Sequence, residues 1–177
     1  MDARTEPTYE RIRASQVRDA MTSDVAVARS DDSLLSAAQT MRERRVSGLP
    51  VVDDQGAVVG VLSERDIFER LRTTAGLAQF RGVLDLIVEA ANGRTDRIEQ
   101  CAQTLRASKV GDAMSRRAVT IEPDAPLSEA ARWLRQADIN RLPVVENAKL
   151  VGIITRDDVL RVAAVPPVAS RRSRSRT

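Results

Sequence analysis

Histidine is missing altogether from the 177 residues. That removes the commonest general base and the commonest metal ligand. Cysteine is almost missing. Cys101 is the single one, which excludes a disulfide framework and a cysteine-built zinc site. A lone cysteine suits a reducing cytosol, so a cytoplasmic protein is the expectation. Aromatics amount to four residues, Tyr9, Phe68, Phe80 and Trp133. That is too few for the stacking platform of a single-strand nucleic-acid binder. No apolar run approaches the roughly 20 residues of a membrane span. The opening Met1–Pro7 holds acids and no apolar stretch, unlike a secretory signal. The motifs of common catalysts are missing too: no dinucleotide fingerprint, no phosphate loop and no nucleophile elbow. The sequence therefore reads as non-catalytic, with no required cofactor and no metal site.

What is present fits one compact domain or two small ones. Apolar residues make up 42% and charged residues 30%, an ordinary globular mix. The net charge of +3 is uneven. Residues 170–177 carry four arginines and no acid, so the other 169 residues sum to −1. The tail 166–177 follows Pro166-Pro167 and reads as basic and disordered. It is either a solubilising terminus or a weak contact for phosphates, including those of nucleic acid. The acidic balance of the body and its few aromatics do not favour nucleic acid as a partner.

The chain repeats itself. Residues 17–54 align with 110–147 at a constant offset of 93, with 13 of 38 positions identical. After one residue is lost in a turn, 59–71 aligns with 151–163. Each copy reads as strand, helix, strand, strand, helix. Val25–Ala28 and Ala118–Ile121 are short strand candidates. Leu34, Ala37, Ala38 and Met41 lie at helical spacing, as do Leu127, Ala130, Ala131 and Leu134. Asp32 or Ser33 can cap the first helix, and Pro126 suits the first turn of the second. Leu49–Asp53 with Ala57–Leu62, and Leu142–Glu146 with Leu150–Ile154, read as strand pairs across turns. Helices follow from Glu64 to about Arg72 and from Arg156 to about Ala163. Neither copy has strands enough to bury both faces, so one shared core is expected. The divisions are an N-terminal segment 1–16, a first domain 17–72, a helical insertion 73–109, a second domain 110–165 and the tail. In the insertion, 77–91 and 95–107 read as helices. They either cap the module or offer a docking surface to a protein partner. Cys101 reads as a packing residue there.

At equivalent places stand Gly60-Val61-Leu62-Ser63-Glu64-Arg65-Asp66 and Gly152-Ile153-Ile154-Thr155-Arg156-Asp157-Asp158. Each puts a hydroxyl where a strand meets a helix, and a carboxylate one turn later. A capping box has this pattern. A ribose site has it as well: Asp66 and Asp158 can each accept from two vicinal hydroxyls, with Ser63 or Thr155 facing sugar or phosphate. Helix N-termini favour anions, and guanidinium binds phosphate bidentately. Arg44, Arg45, Arg65, Arg141 and Arg156 are therefore phosphate candidates, or simply solvated. Leu49-Pro50-Val51 and Leu142-Pro143-Val144 can wall a flat base while serving as core strands.

The doubled pattern resembles a tandem pair of cystathionine-β-synthase (CBS) domains, the Bateman module. The residues that carry it are Val17-Arg18-Asp19-Ala20-Met21-Thr22 and Val110-Gly111-Asp112-Ala113-Met114-Ser115. Gly48-Leu49-Pro50-Val51-Val52, Arg141-Leu142-Pro143-Val144-Val145 and the two strand–helix junctions complete it. The resemblance implies an α+β fold: two pseudo-symmetric β-α-β-β-α domains packed through their sheets, with a cleft on each side. It implies a regulatory module that binds AMP, ADP, ATP or S-adenosylmethionine and senses energy or metabolite state. It also implies a homodimer. By position, Ser63, Asp66, Thr155 and Asp158 become ribose residues. Val27, Leu49, Pro50, Thr120, Leu142 and Pro143 become base neighbours, and Arg45, Arg65, Arg141 and Arg156 phosphate residues. Gly48 facing Arg141 across the repeat makes the two clefts unequal. The alternative is a structural dimerisation or protein-interaction module with vestigial clefts.

Overall fold

A computed structural model describes residues 6–74, 95–136 and 139–164. The expected helix 77–91 and the basic tail lie outside them. The elements are α1 (Glu6–Ala14), a 3-10 turn (Val17–Asp19), α2 (Leu34–Arg44), β1 (Gly48–Val52), β2 (Val58–Ser63) and α3 (Glu64–Thr74). There follow α4 (Thr95–Ala107), the short α5 (Val110–Ala113), α6 (Leu127–Gln136), β3 (Arg141–Glu146), β4 (Lys149–Thr155) and α7 (Arg156–Ala164).

Local chemistry accounts for these boundaries. Ser33 caps α2, its Oγ accepting from the Ser36 amide at 3.1 Å. At the other end Arg45 turns left-handed, with φ 55°, and its amide donates to the Arg42 carbonyl. Leu34, Ala37 and Met41 form the buried stripe of α2. Pro126 stands just before α6 and offers its carbonyl to the Glu129 amide. The antiparallel pairs β1–β2 and β3–β4 carry the same irregularity, between Val51 and Val52 and between Val144 and Val145. The first-strand candidates are shorter than expected. Each makes one parallel bridge, Ala28 with Val51 and Ile121 with Val144.

The two copies exchange their leading segments. Val17 donates to Ala125, and Thr22 bridges Ile153 of β4. In mirror fashion, Val110 donates to Asp32, and Ser115 bridges Val61 of β2. The first amide of α2, on Leu34, is satisfied by the Ser108 carbonyl, and that of α6, on Leu127, by Ser15. Helix starts leave such donors unpaired, so each lead segment completes the other copy's helix. Two hydrophobic clusters result instead of the one expected core. The first joins Leu34, Met41, Leu49 and Leu62 with Cys101, Val110 and Met114. The second joins Leu127, Leu134, Leu142 and Ile154 with Val17 and Ala20. Two strands and two helices close a core once a strip from the other repeat covers the open side. The motif methionines ride on this exchange. A Cβ at Gly60 would fall 2.8 Å from Met114 Sδ, and one at Gly152 2.5 Å from Met21 Sδ. Close approach favours glycine at both, and more firmly at Gly60, where the Ser115 backbone oxygen also stands 2.9 Å away.

Candidate functional site

Both strand–helix junctions are closed capping boxes. Asp66 Oδ2 accepts from the Ser63 amide at 2.8 Å and from Ser63 Oγ at 2.6 Å, and the Asp66 amide returns a bond to Ser63 Oγ at 3.3 Å. Thr155 and Asp158 repeat this at 2.8, 2.7 and 3.3 Å. The second oxygen separates them. Asp158 Oδ1 is held by Arg161 Nη2, and Asp158 is only 4% exposed. Asp66 is half-buried, and its residue equivalent to Arg161 is Glu69.

Each junction opens onto a cleft finished by the other copy. The larger cleft, about 840 Å³, sets Thr155 and Asp158 against Val25 and Ala26 and against the turn Arg45–Gly48. The smaller, about 530 Å³, sets Ser63 and Asp66 against Ala118 and Val119 and against Ile139–Arg141. The pairings follow from the exchange, since each lead segment carries the next strand start across to the opposite junction. Charge is inverted between them. Asp24, Arg156 and Asp157 line the larger cleft, where Arg117, Glu64 and Arg65 stand at the matching places in the smaller.

The expected base neighbours are not at either cleft. Val27 is 40% exposed and Thr120 is exposed, and neither lines a cleft. The bridge of Ala28 to Val51 fixes the phase of the segment, turning Ala28 inward and Val27 away. Leu49 and Leu142 are sealed in the two cores. Pro50 and Pro143 are buried, and their carbonyls accept from Ala28 and Ile121. β1 and β3 each lie between a first segment and a β2 or β4 partner, and past their first residues, Gly48 and Arg141, they line neither cleft. The turns that lead into them, together with those first residues, take that place: Val46–Gly48 and Ile139–Arg141.

The arginines divide. Arg45 and Arg156 line the larger cleft, Arg65 the smaller, and Arg141 both. Arg156 is also a brace: its Nη2 donates to the Leu134 carbonyl at 2.9 Å and its Nε to Ile139 at 3.1 Å. Arg44 is tied to Asp24 at 2.8 Å at the mouth of the larger cleft. Arg141 donates to Ser47 Oγ at 2.8 Å. Burial lowers its pKa from the ordinary guanidinium value, and nearby Glu64 and Asp66 act to raise it. Among the described residues no cluster of three or more acids or cysteines is arranged to hold a metal ion. No described helix is long and apolar enough to cross a membrane.

A protein-family model described as the CBS domain matches twice, over residues 17–73 and 110–165. The chain belongs to the CBS domain family. The CBS-domain structure of a CBS domain containing membrane protein from Sphaerobacter thermophilus is 32% identical with a TM-score of 0.71, covering 90% of this chain and 94% of that one. CBSX2 in complex with AMP is 30% identical with a TM-score of 0.61, covering 85% and 96%. Among curated relatives, the CBS domain-containing protein YhcV of Bacillus subtilis is 32% identical over 82% of this chain and 83% of its own. Chloroplastic CBSX2 of Arabidopsis thaliana is 32% identical, and the match spans 58% of its length. The tandem CBS pair and its α+β fold are thereby established.

Several cleft residues of this CBS pair escape a reading of the sequence. Thr22 and Ser115 line opposite clefts from equivalent places, and the equivalent residues Ser47 and Asn140 each line both. Their polarity at matched repeat positions is a usable signal. Arg161, one turn beyond Asp158, has no such signal, because the first copy carries Glu69 there.

Proposed function

We propose that this CBS pair is a non-catalytic regulatory module that binds adenosine-containing ligands in its two clefts. The observation that carries it is the pairing in each cleft of a helix-start carboxylate with an apolar segment and arginines from the opposite copy. Both clefts fall within the roughly 300–1,000 Å³ of small-molecule sites. In this reading Asp66 and Asp158 receive the ribose diol, and the helix starts and arginines receive phosphate. Val25 with Ala26, and Ala118 with Val119, flank the base. Relatives support the chemistry: CBSX2 has been crystallised with AMP. The smaller cleft presents the more available carboxylate. In the larger one Arg161 must share Asp158 or swing aside, and its side chain is 68% exposed.

Calorimetric titration with AMP and with S-adenosylmethionine tests the reading. Asp66→Asn and Asp158→Asn keep an oxygen for the capping bonds but lose the charge that grips a diol. Each is expected to weaken its site roughly tenfold or more, as loss of a charge-assisted bond does. In the wild type, AMP at 100 times its dissociation constant adds about 2.7 kcal/mol of stability. No heat and no thermal shift with any adenosyl ligand at millimolar concentration would refute the proposal. A second reading, a dimerisation scaffold with vestigial clefts, draws on the closed capping boxes: no buried polar side-chain atom among the described residues lacks a partner. Native mass spectrometry separates the two, since a scaffold shows a dimer with no retained nucleotide.

A further inference from the structure

We infer that Arg141 is a single guanidinium shared by the two clefts, so that a phosphorylated ligand clamped by it in one cleft leaves the other without that clamp. The inference rests on the nucleotide reading of the clefts.

Repeat symmetry demands two residues at this place, one per cleft. The second is Gly48, which offers no side chain. The structure shows why both cannot be large. A Cβ on Gly48 would lie 2.5 Å from the Leu62 carbonyl oxygen and 2.6 Å from Arg141 Cζ. The arginine has crossed the pseudo-dyad and occupies its partner's space. From there it borders the larger cleft over Gly48 and the smaller one beside Glu64 and Asp66. Ser47 Oγ, which also lines both clefts, steadies it. Burial concentrates the electrostatic worth of this cation. One positive charge cannot fully neutralise two phosphate dianions, and the fork that grips a phosphate has one best face. Occupancy by phosphate is therefore antagonistic between the clefts, while occupancy by an uncharged nucleoside is not.

Calorimetry of the full chain with AMP and with adenosine decides it. The wild type is expected to bind two AMP with unequal affinity. Arg141→Gln should weaken the tighter AMP site roughly tenfold to a hundredfold, the loss of a charge-assisted bidentate bond. It should leave the weaker AMP site and adenosine binding unchanged. Retained adenosine binding also certifies that the variant is folded. Arg141→Lys, which keeps the charge without the fork, should restore part of the tighter site. Equal weakening of both AMP sites, or of neither, overturns the sharing while leaving the nucleotide reading intact. If Arg141→Gln loses adenosine too, Arg141→Lys decides alone, and an unchanged tighter site overturns the inference. No AMP binding by the wild type overturns both.

Discussion

Val110 begins the second repeat, yet it is fully buried in the first repeat's core. Val110→Ala measures that exchange. The substitution removes two methyl groups at about 0.8 kcal/mol each, and the cavity left behind adds to this. The expected loss is about 2–3 kcal/mol. For a chain of this length that lowers the melting temperature by roughly 4–12 °C. The location of the damage is the sharper test. Hydrogen exchange followed by mass spectrometry should show β1 and β2 amides, from Leu49 to Leu62, exchanging roughly 30- to 150-fold faster. Those of β3 and β4 should change less. Val17→Ala should give the mirror result, since Val17 lies in the core of Leu142 and Ile154. Greater acceleration in β3 and β4 than in β1 and β2 on shortening Val110 would refute the exchanged arrangement.

Gly60→Ala should destabilise more than Gly152→Ala in thermal denaturation. A Cβ at Gly60 meets the Ser115 backbone oxygen at 2.9 Å, whereas at Gly152 the nearest obstacle is the yielding tip of Met21 and the backbone stands 3.2 Å away. The β3–β4 hairpin turns through Asn147 and Ala148 with φ of 51° and 64°. Ala148→Gly removes left-handed strain and should stabilise the fold by about 1 kcal/mol, read as a higher melting temperature. AMP affinity should fall as pH drops from 8 to 5, because the phosphate takes up its second proton near pH 6, roughly. The protein has no histidine to titrate in that window, so adenosine affinity measured alongside should stay level.

Much of this was legible in the residues. The strand pairs lie within a residue or two of their expected positions, because β-branched runs bounded by turn residues admit few other conformations. The junctions were legible as chemistry with two meanings, capping and binding, and the capping half is visible in the structure. What could not be read was which copy each segment serves. Val17 and Val110 are identical, as are Met21 and Met114, so either core would accept either pair. That ambiguity hid the composition of the clefts. The expected base-side residues fall outside the clefts for a related reason. Val27 is the equal of Val25 in size and polarity, but a single bridge at Ala28 sets the phase, and no pattern within four residues announces a bridge. Gly48 opposite Arg141 was visible as an asymmetry, and only the three-dimensional approach shows that one side chain excludes the other.

The crossed lead segments bind the fate of the halves together. Severed after the first repeat, residues 17–74 would leave Leu34 and Leu62 bare where Val110 and Met114 had lain. Such a fragment would be driven to borrow the strip from an identical neighbour, rebuilding between molecules the embrace that the intact polypeptide makes with itself. Duplication here is thus a ratchet: once each repeat has come to lean on its twin, a lone copy can close its core only in the company of a second.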